Sequence, residues 1–397
     1  MSPARKQLHS RAEMVVVRLA LSSSPIASQR RLLRIPASLV RGGTSKCVIF
    51  RAEDLAELGV GLNDLLLSAF GSIDESQVDG IGGATSTTSK AAIVAPSSRS
   101  DVDVEFLFAQ VGIGKEVVEY GSNCGNCATA VGLYALQNGL VTPRVGTTMV
   151  RMLNVNTGAR LTATIDTEDA VAPGFGEAVV PGSASRTGVP VRLSFVDPVG
   201  STCGQLLPSG HAVELVGPVE ATLIDAGAPA MLVNARSLDV NPFQNGLHEV
   251  ASELVLLRRQ GAVRMGLMPP GDAIPKVGLV APPIRYTTTS GHSVEPHCYD
   301  LSVRMMSMFT PHPAIGLTSA VALAAAMITP GTLASSLASH LTGRSHRRVR
   351  LGTAAGVVEM NTRVDGAGVL REVIFHRVAR HIASMELFVP CDVRRAS

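Results

Sequence analysis

LVRGGTSKCVI, at residues 39–49, is matched by LIDAGAPAMLV at residues 223–233. Each stretch has an apolar pair, then a turn of small residues, then a second apolar run that is typical of a strand. The second stretch begins 184 residues after the first (39 to 223). Such a match indicates that one structural unit occurs twice in the chain.

Two further matches follow in the same order. Residues 88–94 resemble residues 274–280 at a shift of 186, and Ala130 to Gly132 resemble Ala314 to Gly316 at a shift of 184. These matches predict a duplicated domain. We divide the chain into a basic N-terminal extension (1–32), a first domain (33–185) and a second domain (186–397). A hinge is expected at 182–190, and the C-terminal segment is free to return to the first domain.

Strands alternate with one strongly helical segment in each half. Residues 33–41, 46–51, 91–96, 102–111 and 148–155 are rich in Val, Ile and Leu and predict strands. Residues 124–138 and 314–328 predict helices, the second so apolar on all sides that it should lie buried. The predicted fold class is therefore α+β, with strands curled around a central helix in each half.

Composition excludes several classes of function. The net charge is +3, and no basic stripe with interleaved aromatic residues appears, so we expect no nucleic-acid partner. No apolar run reaches the ~18 residues that cross a bilayer, so we expect no membrane insertion. Six cysteines fit reduced thiols in an intracellular protein. A cytoplasmic location is expected, although the Arg- and Ser-rich first 34 residues would also suit a mitochondrial transit peptide.

Three turns rich in Gly, Ser and Thr are candidates for binding carboxylates, because they expose backbone N–H groups and hydroxyls together. They span residues 41–45, 82–90 and 121–126. The candidate binding residues in these turns are Arg41, Gly43, Thr44, Ser45, Ser86, Thr87, Ser89, Ser122, Asn123, Gly125 and Asn126. In the second half the candidates are Lys276, Ser307, Met308 and His312, the last near the start of the second helix.

Two residues of the first half could transfer protons. Cys124 lies at the start of a predicted helix, where the macrodipole favours the thiolate and lowers the pKa. Lys90 follows a run of hydroxyl residues, and its amine could exchange a proton with a carbanion or hold a carboxylate. Cys124 and Cys127 form a CxxC pair, but no second pair of ligands with zinc spacing follows. No nucleotide fingerprint is present either, so we expect neither a metal nor a cofactor.

Six motifs, in order, resemble the PrpF family of 2-methylaconitate cis-trans isomerases. They are RGGTSK (41–46), TSK (88–90), GSNCGN (121–126), LLPSG (206–210), RMMSM (304–308) and ARHI (379–382) with the following Val389-Pro390. The resemblance covers residues 33–390. It implies the fold of diaminopimelate epimerase, with the active site between two related domains, and it assigns the catalytic lysine and cysteine to Lys90 and Cys124.

The resemblance also implies a reaction. The family isomerises small unsaturated di- and tricarboxylates, so we expect allylic proton transfer on cis-aconitate, giving trans-aconitate, or on 2-methylaconitate. An amino-acid epimerase is the alternative, but the 184-residue shift puts Met308 opposite Cys124 where that reaction needs a second thiol. A non-catalytic accessory protein is another alternative, and a homodimer is one possible assembly. Residues 352–356 (GTAAG) depart from the family's usual GHPSG.

Overall fold

The computed structural model describes residues 28–121, 123–180, 183–244, 247–268, 274–307, 309–338 and 346–394. Its strands are β1 (Ser28–Gly42), β2 (Ser45–Arg51), β3 (Lys90–Pro96), β4 (Val104–Val111), β5 (Val118–Glu119), β6 (Gly146–Asn154), β7 (Arg160–Thr167), β8 (Ala178–Val180), β9 (Ser183–Val196), β10 (Glu214–Val216), β11 (Val219–Ala226), β12 (Ala228–Asn234), β13 (Lys276–Ala281), β14 (Tyr286–Thr287), β15 (Ser293–Val294), β16 (Leu301–Ser307), β17 (Thr310–Pro311), β18 (His346–Thr353), β19 (Gly356–Val364) and β20 (Leu370–Arg394). Its α-helices are α1 (Ala52–Leu55), α2 (Leu62–Phe70), α3 (Gly125–Gln137), α4 (His248–Arg264), α5 (Leu317–Ile328) and α6 (Leu333–Leu337).

The strands of the first half form a closed ring. Pairing runs from β1 through β2, β3, β4, β6, β7, β9 and β20 and returns to β1. The β2–β3 and β4–β6 pairs are parallel, with Val48 beside Ala91 and Val104 beside Met152. The other pairs in the ring are antiparallel. A closed ring leaves few unpaired strand edges among these elements.

The second half repeats the same order of strand directions. Pairing runs from β11 through β12, β13, β16, β18 and β19 to β20, again with the second and fourth pairs parallel. A bridge between Val199 and Ala226 joins the segment that follows β9 to β11. The start of β20 pairs with β19 and β9, and its end pairs with β1, so this strand is shared by both rings.

Each ring surrounds one apolar helix. Residues 127–136 of α3 and 317–327 of α5 are buried throughout, which fits helices that are apolar on every side. Small residues allow the strands to lie close to the helix. A Cβ added to Gly132 on α3 would lie 2.4 Å from Cβ of Ala163 on β7. The predicted α+β class, with two related units each curled around a helix, is confirmed. None of the described helices is long and apolar enough to cross a membrane.

A matched ion pair fixes the parallel strands in each half. Arg151 donates from Nε and its backbone N–H to Asp103 Oδ2 at 3.1 and 2.8 Å, beside the β4–β6 pair. Arg350 donates from Nε to Asp300 Oδ1 at 3.2 Å and from its backbone N–H to Oδ2 at 2.7 Å, beside β16–β18. The same residue types in the same places identify the corresponding strands of the two units.

Two details of the sequence analysis are wrong. Residues 183–190 are not a hinge but part of β9, which pairs with β7, β8 and β20. The division at 185/186 therefore falls within a strand, and the domain boundaries remain a prediction. The shift of 184 also does not hold throughout. It fits the β1–β2 and β11–β12 turns, but α3 is capped by Cys124 and α5 by Gly316, which are 192 residues apart (124 to 316).

Candidate active site

A cleft of about 350 Å³ lies where the two central helices begin. The start of α3 contributes Asn123 to Asn126, and the start of α5 contributes the segment 314–319. A Cβ added to Gly125 would lie 2.4 Å from Cδ1 of Leu317, so the two helix starts are in direct contact. The remaining walls come from the 44–45 and 86–87 turns, the ends of β3 and β4, and β13 and β16.

Both helices begin beside this cleft with backbone N–H groups that no helical carbonyl accepts. The first intrahelical bond of α3 runs from the N–H of Ala128 to the carbonyl of Cys124, and that of α5 runs from Ala320 to Gly316. The three residues before each donor therefore have no helical acceptor for their N–H groups. Two N-terminal dipoles and their free donors make the cleft a suitable place for two carboxylates.

Charged side chains add to this preference for anions. Of the described residues that line the cleft, Lys90, Lys115 and Lys276 can carry positive charge, and Glu119 carries the opposing negative charge. Partly enclosed charges interact more strongly than exposed ones, because less water screens them. The cleft thus favours a ligand with more than one carboxylate.

Cys124 is the N-cap residue of α3 and is partly buried. A hydrogen bond with the Cys127 thiol and burial raise the pKa of Cys124 well above its ordinary value, whereas the nearby Lys90 ammonium and the N–H of Cys127 act in the opposite direction. The expected lowering of this pKa is therefore not found, because the second thiol and the surrounding apolar groups outweigh the cation. The resting side chain is a protonated thiol, ready to donate a proton.

Lys90 is the first residue of β3, and its ammonium is held from two sides. Nζ donates a short hydrogen bond to Oε1 of Gln110, the residue opposite it on β4. Nε2 of Gln110 donates in turn to the carbonyl of Ser89 at 3.0 Å, which fixes the amide. Nζ also lies 5.2 Å from the ring centroid of Phe108. Both contacts fix the position of the amine.

The second half supplies Lys276 and His312. Lys276 opens β13, and burial together with the Arg258 guanidinium lowers its pKa to about 8. The ring of His312 accepts a hydrogen bond at Nδ1 from the N–H of Ala314 at 3.0 Å. Burial and the neighbouring Lys276 and Arg304 lower the pKa of His312 to about 4. The imidazole is therefore neutral at pH 7, with its proton on Nε2.

A polar network lies under the first helix start. Nδ2 of Asn126 donates to Oγ1 of Thr44 and Oγ of Ser45 at 3.1 and 3.2 Å, and its Oδ1 accepts from Arg377 at 2.7 Å. Asn123 accepts at Oδ1 from Asn154, but its Nδ2 is buried without a partner in the described structure. A buried donor of this kind needs an acceptor, which a substrate carboxylate oxygen would supply.

The structure brings most of the predicted site residues together. Those that line the cleft are Thr44, Ser45, Ser86, Thr87, Lys90, Asn123, Cys124, Gly125, Asn126, Lys276 and His312. Ser122 and Met308 lie outside the described residues, and the side chain of Ser307 is likewise not described.

Three predicted binding residues do not line the cleft. Arg41 donates to the carbonyls of Gly43 and Thr187 instead of facing it. Gly43 turns the chain at φ +52°, where an added Cβ would meet Arg377. Ser89 is fully buried and donates to Gln77. All three stabilise the turns beneath the cleft, which is a structural role rather than a binding one.

Sequence analysis missed several residues that the fold brings to the site. Gln110 is a polar residue near the end of an apolar strand, a signal that could have been noticed. Thr318 and Ser319 begin α5 and line the cleft, in the kind of hydroxyl-rich helix start that was noted in the first half. Arg377 lies 251 residues from Asn126 in sequence, and no local pattern points to it. Across the described residues, no three His, Cys, Asp or Glu side chains converge as metal ligands.

Comparison with known proteins extends along nearly the whole chain. The sequence profile described as "PrpF protein" matches residues 32–390. A 2-methyl-aconitate isomerase from Shewanella oneidensis is 34% identical over 389 residues, covering 90% of this chain and 96% of the relative. A 4-oxalomesaconate tautomerase from Pseudomonas putida is 36% identical over 351 residues, covering 85% and 93%.

A solved structure gives the same result. The crystal structure of a methylitaconate-delta-isomerase is similar with a TM-score of 0.77 and 30% identity, and the match covers 90% of this chain and 96% of that one. A likeness of this extent and identity covers both rings and the cleft between them.

Proposed function

Because the chain belongs to the PrpF family and is an isomerase, we propose that it moves an allylic proton on a small unsaturated tricarboxylate without a cofactor. Cis-aconitate converted to trans-aconitate is the leading substrate pair, and 2-methylaconitate is the next. The relatives named above are named for acids of this kind, in which a double bond stands beside carboxylates.

One observation carries the proposal: a thiol, three lysines and two helix N-termini line a single cleft. The volume of about 350 Å³ suits a small organic acid. Each helix start binds one carboxylate through its free N–H groups, and the buried Nδ2 of Asn123 donates to an oxygen of the first. The hydroxyls of Thr44 and Ser45 extend this first anion site.

With the carboxylates fixed, the allylic carbons lie between groups that can exchange protons. A base removes one allylic proton, and the electrons spread into the adjacent carboxylate as an extended enolate. The Nε2–H of neutral His312 stabilises the negative charge. Protonation at the far end of the enolate moves the double bond. Cys124 and Lys90 are the proposed acid/base pair, and the protonated resting state of Cys124 suits it to the second step.

The proposal is tested by mixing the purified protein with cis-aconitate, 2-methylaconitate, methylitaconate and oxalomesaconate and following each by proton NMR. We expect isomerisation of at least one tricarboxylate, with entry of one deuterium when the reaction runs in deuterated water. Lys90→Met should isomerise none of them at a comparable rate. If the wild-type protein leaves all four acids unchanged, or if Lys90→Met retains the full rate, the proposal is wrong.

A further inference from the structure

A chain of hydrogen bonds connects β20 to the turn between β1 and β2. Nη2 of Arg377 on β20 donates to Oδ1 of Asn126 at 2.7 Å. Nδ2 of Asn126 donates in turn to Oγ1 of Thr44 and Oγ of Ser45, at 3.1 and 3.2 Å. Asn126 and the two turn hydroxyls, those of Thr44 and Ser45, line the cleft, whereas Arg377 lies behind them and does not.

Arg377 sets the direction of the Asn126 amide. A guanidinium donates hydrogen bonds but accepts none, so only the carbonyl oxygen of Asn126 can face it. The amide nitrogen then faces the turn hydroxyls and gives one N–H to each. Because each hydroxyl oxygen acts as an acceptor here, its own hydrogen remains available to another group.

The hydrogens of the turn hydroxyls have no protein acceptor within the described part of the chain. Ser45 is only 4% exposed, so leaving its donor unpaired is unfavourable. Thr44 is exposed and presents a second donor beside it. A carboxylate oxygen of a ligand in the cleft would accept from both, and such charge-assisted hydrogen bonds are the strong ones.

Arg377 also brings a positive charge to this part of the cleft. Burial lowers its pKa and Cys124 acts in the opposite direction, but no acidic side chain among the described residues takes part. The guanidinium stays protonated in spite of the burial. Its charge reaches the first carboxylate site through the Asn126 amide and adds to the N-terminal dipole of α3.

The second helix start lacks this arrangement. The shift of 184 that fits the two turns places Ala228 and Pro229 where the first half has its hydroxyls (44 to 228). The shift of 192 between the helix caps places Thr318 at the position of Asn126 (126 to 318). Neither Ala nor Pro has a side-chain donor, so directed hydroxyls belong to the first site alone.

From these contacts, and resting on the proposed function, we propose that Arg377 is a positioning residue: by holding the amide of Asn126, it makes both turn hydroxyls donors for one carboxylate of the substrate. Arg377 itself touches neither the substrate nor the reacting carbons. Without it the amide is free to turn around. The hydroxyls would then donate to Oδ1 of Asn126 and present only lone pairs to the carboxylate.

The first experiment measures binding of propane-1,2,3-tricarboxylate by calorimetry, and KM and kcat on the acid that the wild type converts. Arg377→Met should weaken binding and raise KM by about tenfold. We expect kcat to change by less than about threefold, because the hydroxyls hold the carboxylate equally before and during the reaction. Arg377→Lys, which keeps a charged donor, should lose less. Arg380→Met, which alters an exposed arginine of β20 outside the cleft, is the matched control and should bind like the wild type.

A double-mutant cycle tests whether Arg377 acts through Asn126. Asn126→Ala alone should weaken binding of the analogue by about tenfold. Once the amide is absent, Arg377 has nothing to orient, so Arg377→Met combined with Asn126→Ala should bind about as weakly as Asn126→Ala. Two independent contributions would instead multiply to about 100-fold.

The proposal is overturned if Arg377→Met binds the analogue as tightly as the wild type, or if the two losses multiply in the double variant. If Arg377→Met does not fold, Gly43→Ala provides the same test. Its Cβ would meet Nη2 of Arg377 and Oδ1 of Asn126 and separate them without removing either group, and wild-type affinity in that variant would equally contradict the proposal. Those results would leave the isomerase function intact. A wild-type protein that converts none of the four acids would contradict the function itself, and binding of the analogue would still test Arg377.

Discussion

The start of α3 and the start of α5 have the same backbone arrangement but different N-cap residues. Each begins an apolar helix at the centre of its ring, and each lies beside the cleft with N–H groups that no helical carbonyl accepts. The N-cap of α3 is Cys124, whereas that of α5 is Gly316, which has no side chain. Duplication has thus kept the anion-binding frame in both halves and placed the thiol in one.

The two halves are alike in the ion pairs that stabilise their strands and differ in the side chains that line the cleft. The Asp103–Arg151 and Asp300–Arg350 pairs are matched in residue type and in position. Lys90 and Lys276 are also matched in position, at the starts of β3 and β13, and Lys90 donates to Gln110. A symmetric epimerase mechanism would need a thiol at each helix start, and Gly316 cannot supply one. The proposed proton transfer is therefore asymmetric.

Removal of the thiol, which is the main difference between the two helix starts, should reduce activity the most. Cys124→Ser replaces the thiol with a hydroxyl that is a far weaker acid, so we expect kcat to fall by about 10²- to 10⁴-fold while the protein folds normally. The measurement is steady-state isomerisation together with an unfolding midpoint. Cys298→Ser, which alters an exposed cysteine, is the control and should leave the rate unchanged. Full activity in Cys124→Ser would remove the chemical distinction between the halves.

Loss of one matched ion pair should affect stability rather than chemistry. Asp300 is 8% exposed and Asp103 is 22% exposed, so Asp300 is the harder of the two to leave unpaired. Arg350→Met should lower the free energy of unfolding by about 3 kcal/mol, and Arg151→Met by about 2 kcal/mol. Urea unfolding followed by circular dichroism measures both. A larger loss for Arg151→Met would contradict the order that burial predicts.

The contact between the helix starts offers a more local test. A Cβ at Gly125 would lie 2.4 Å from Cδ1 and 2.9 Å from Cβ of Leu317, so Gly125→Ala must push α3 and α5 apart. Misplaced donors should reduce kcat/KM by about 30-fold. Gly366→Ala, where an added Cβ meets nothing within 4 Å, is the matched control. Equal activity of the two variants would show that the spacing of the helix starts does not matter.

The smallest expected effect concerns the support of Lys90. Gln110→Leu removes the amide that accepts from Nζ, so Lys90 would lose this fixed position. We expect about a tenfold loss in kcat, or about 1.4 kcal/mol in the activation barrier. Gln110→Glu, which can still accept from Nζ, should lose less. The measurement is kcat of both variants on the same acid. An equal loss of kcat in Gln110→Leu and Gln110→Glu would argue against a role of Gln110 in positioning Lys90.

Much of the fold could be predicted because it depends on local patterns and on duplication. The apolar segments at 46–51 and 91–96 became β2 and β3, and the two apolar helices were placed within three residues of their observed starts. Residues 183–190 were misjudged because Gly, Pro and Ser usually interrupt strands. There, pairing of β9 with three other strands outweighs the local preference.

The site was predictable only where its residues lie close together in sequence. Asn123 to Asn126 form one segment, and the helix that follows explains their placement. Arg377 reaches Asn126 from β20, and Gln110 reaches Lys90 across a strand pair, so both contacts depend on tertiary structure. The pKa of Cys124 was expected to be low from the helix dipole alone. The neighbouring Cys127 thiol and burial raise that pKa, and their effect depends on packing.

A crystal structure with bound propane-1,2,3-tricarboxylate, a saturated analogue that cannot isomerise, would test the central claim most directly. We predict one carboxylate at the start of α3, against the buried Nδ2 of Asn123, and a second at the start of α5. The middle carbons should lie between the sulfur of Cys124 and the amine of Lys90. An analogue bound outside this cleft, or bound with those two atoms on the same side of its carbon chain, would contradict the account.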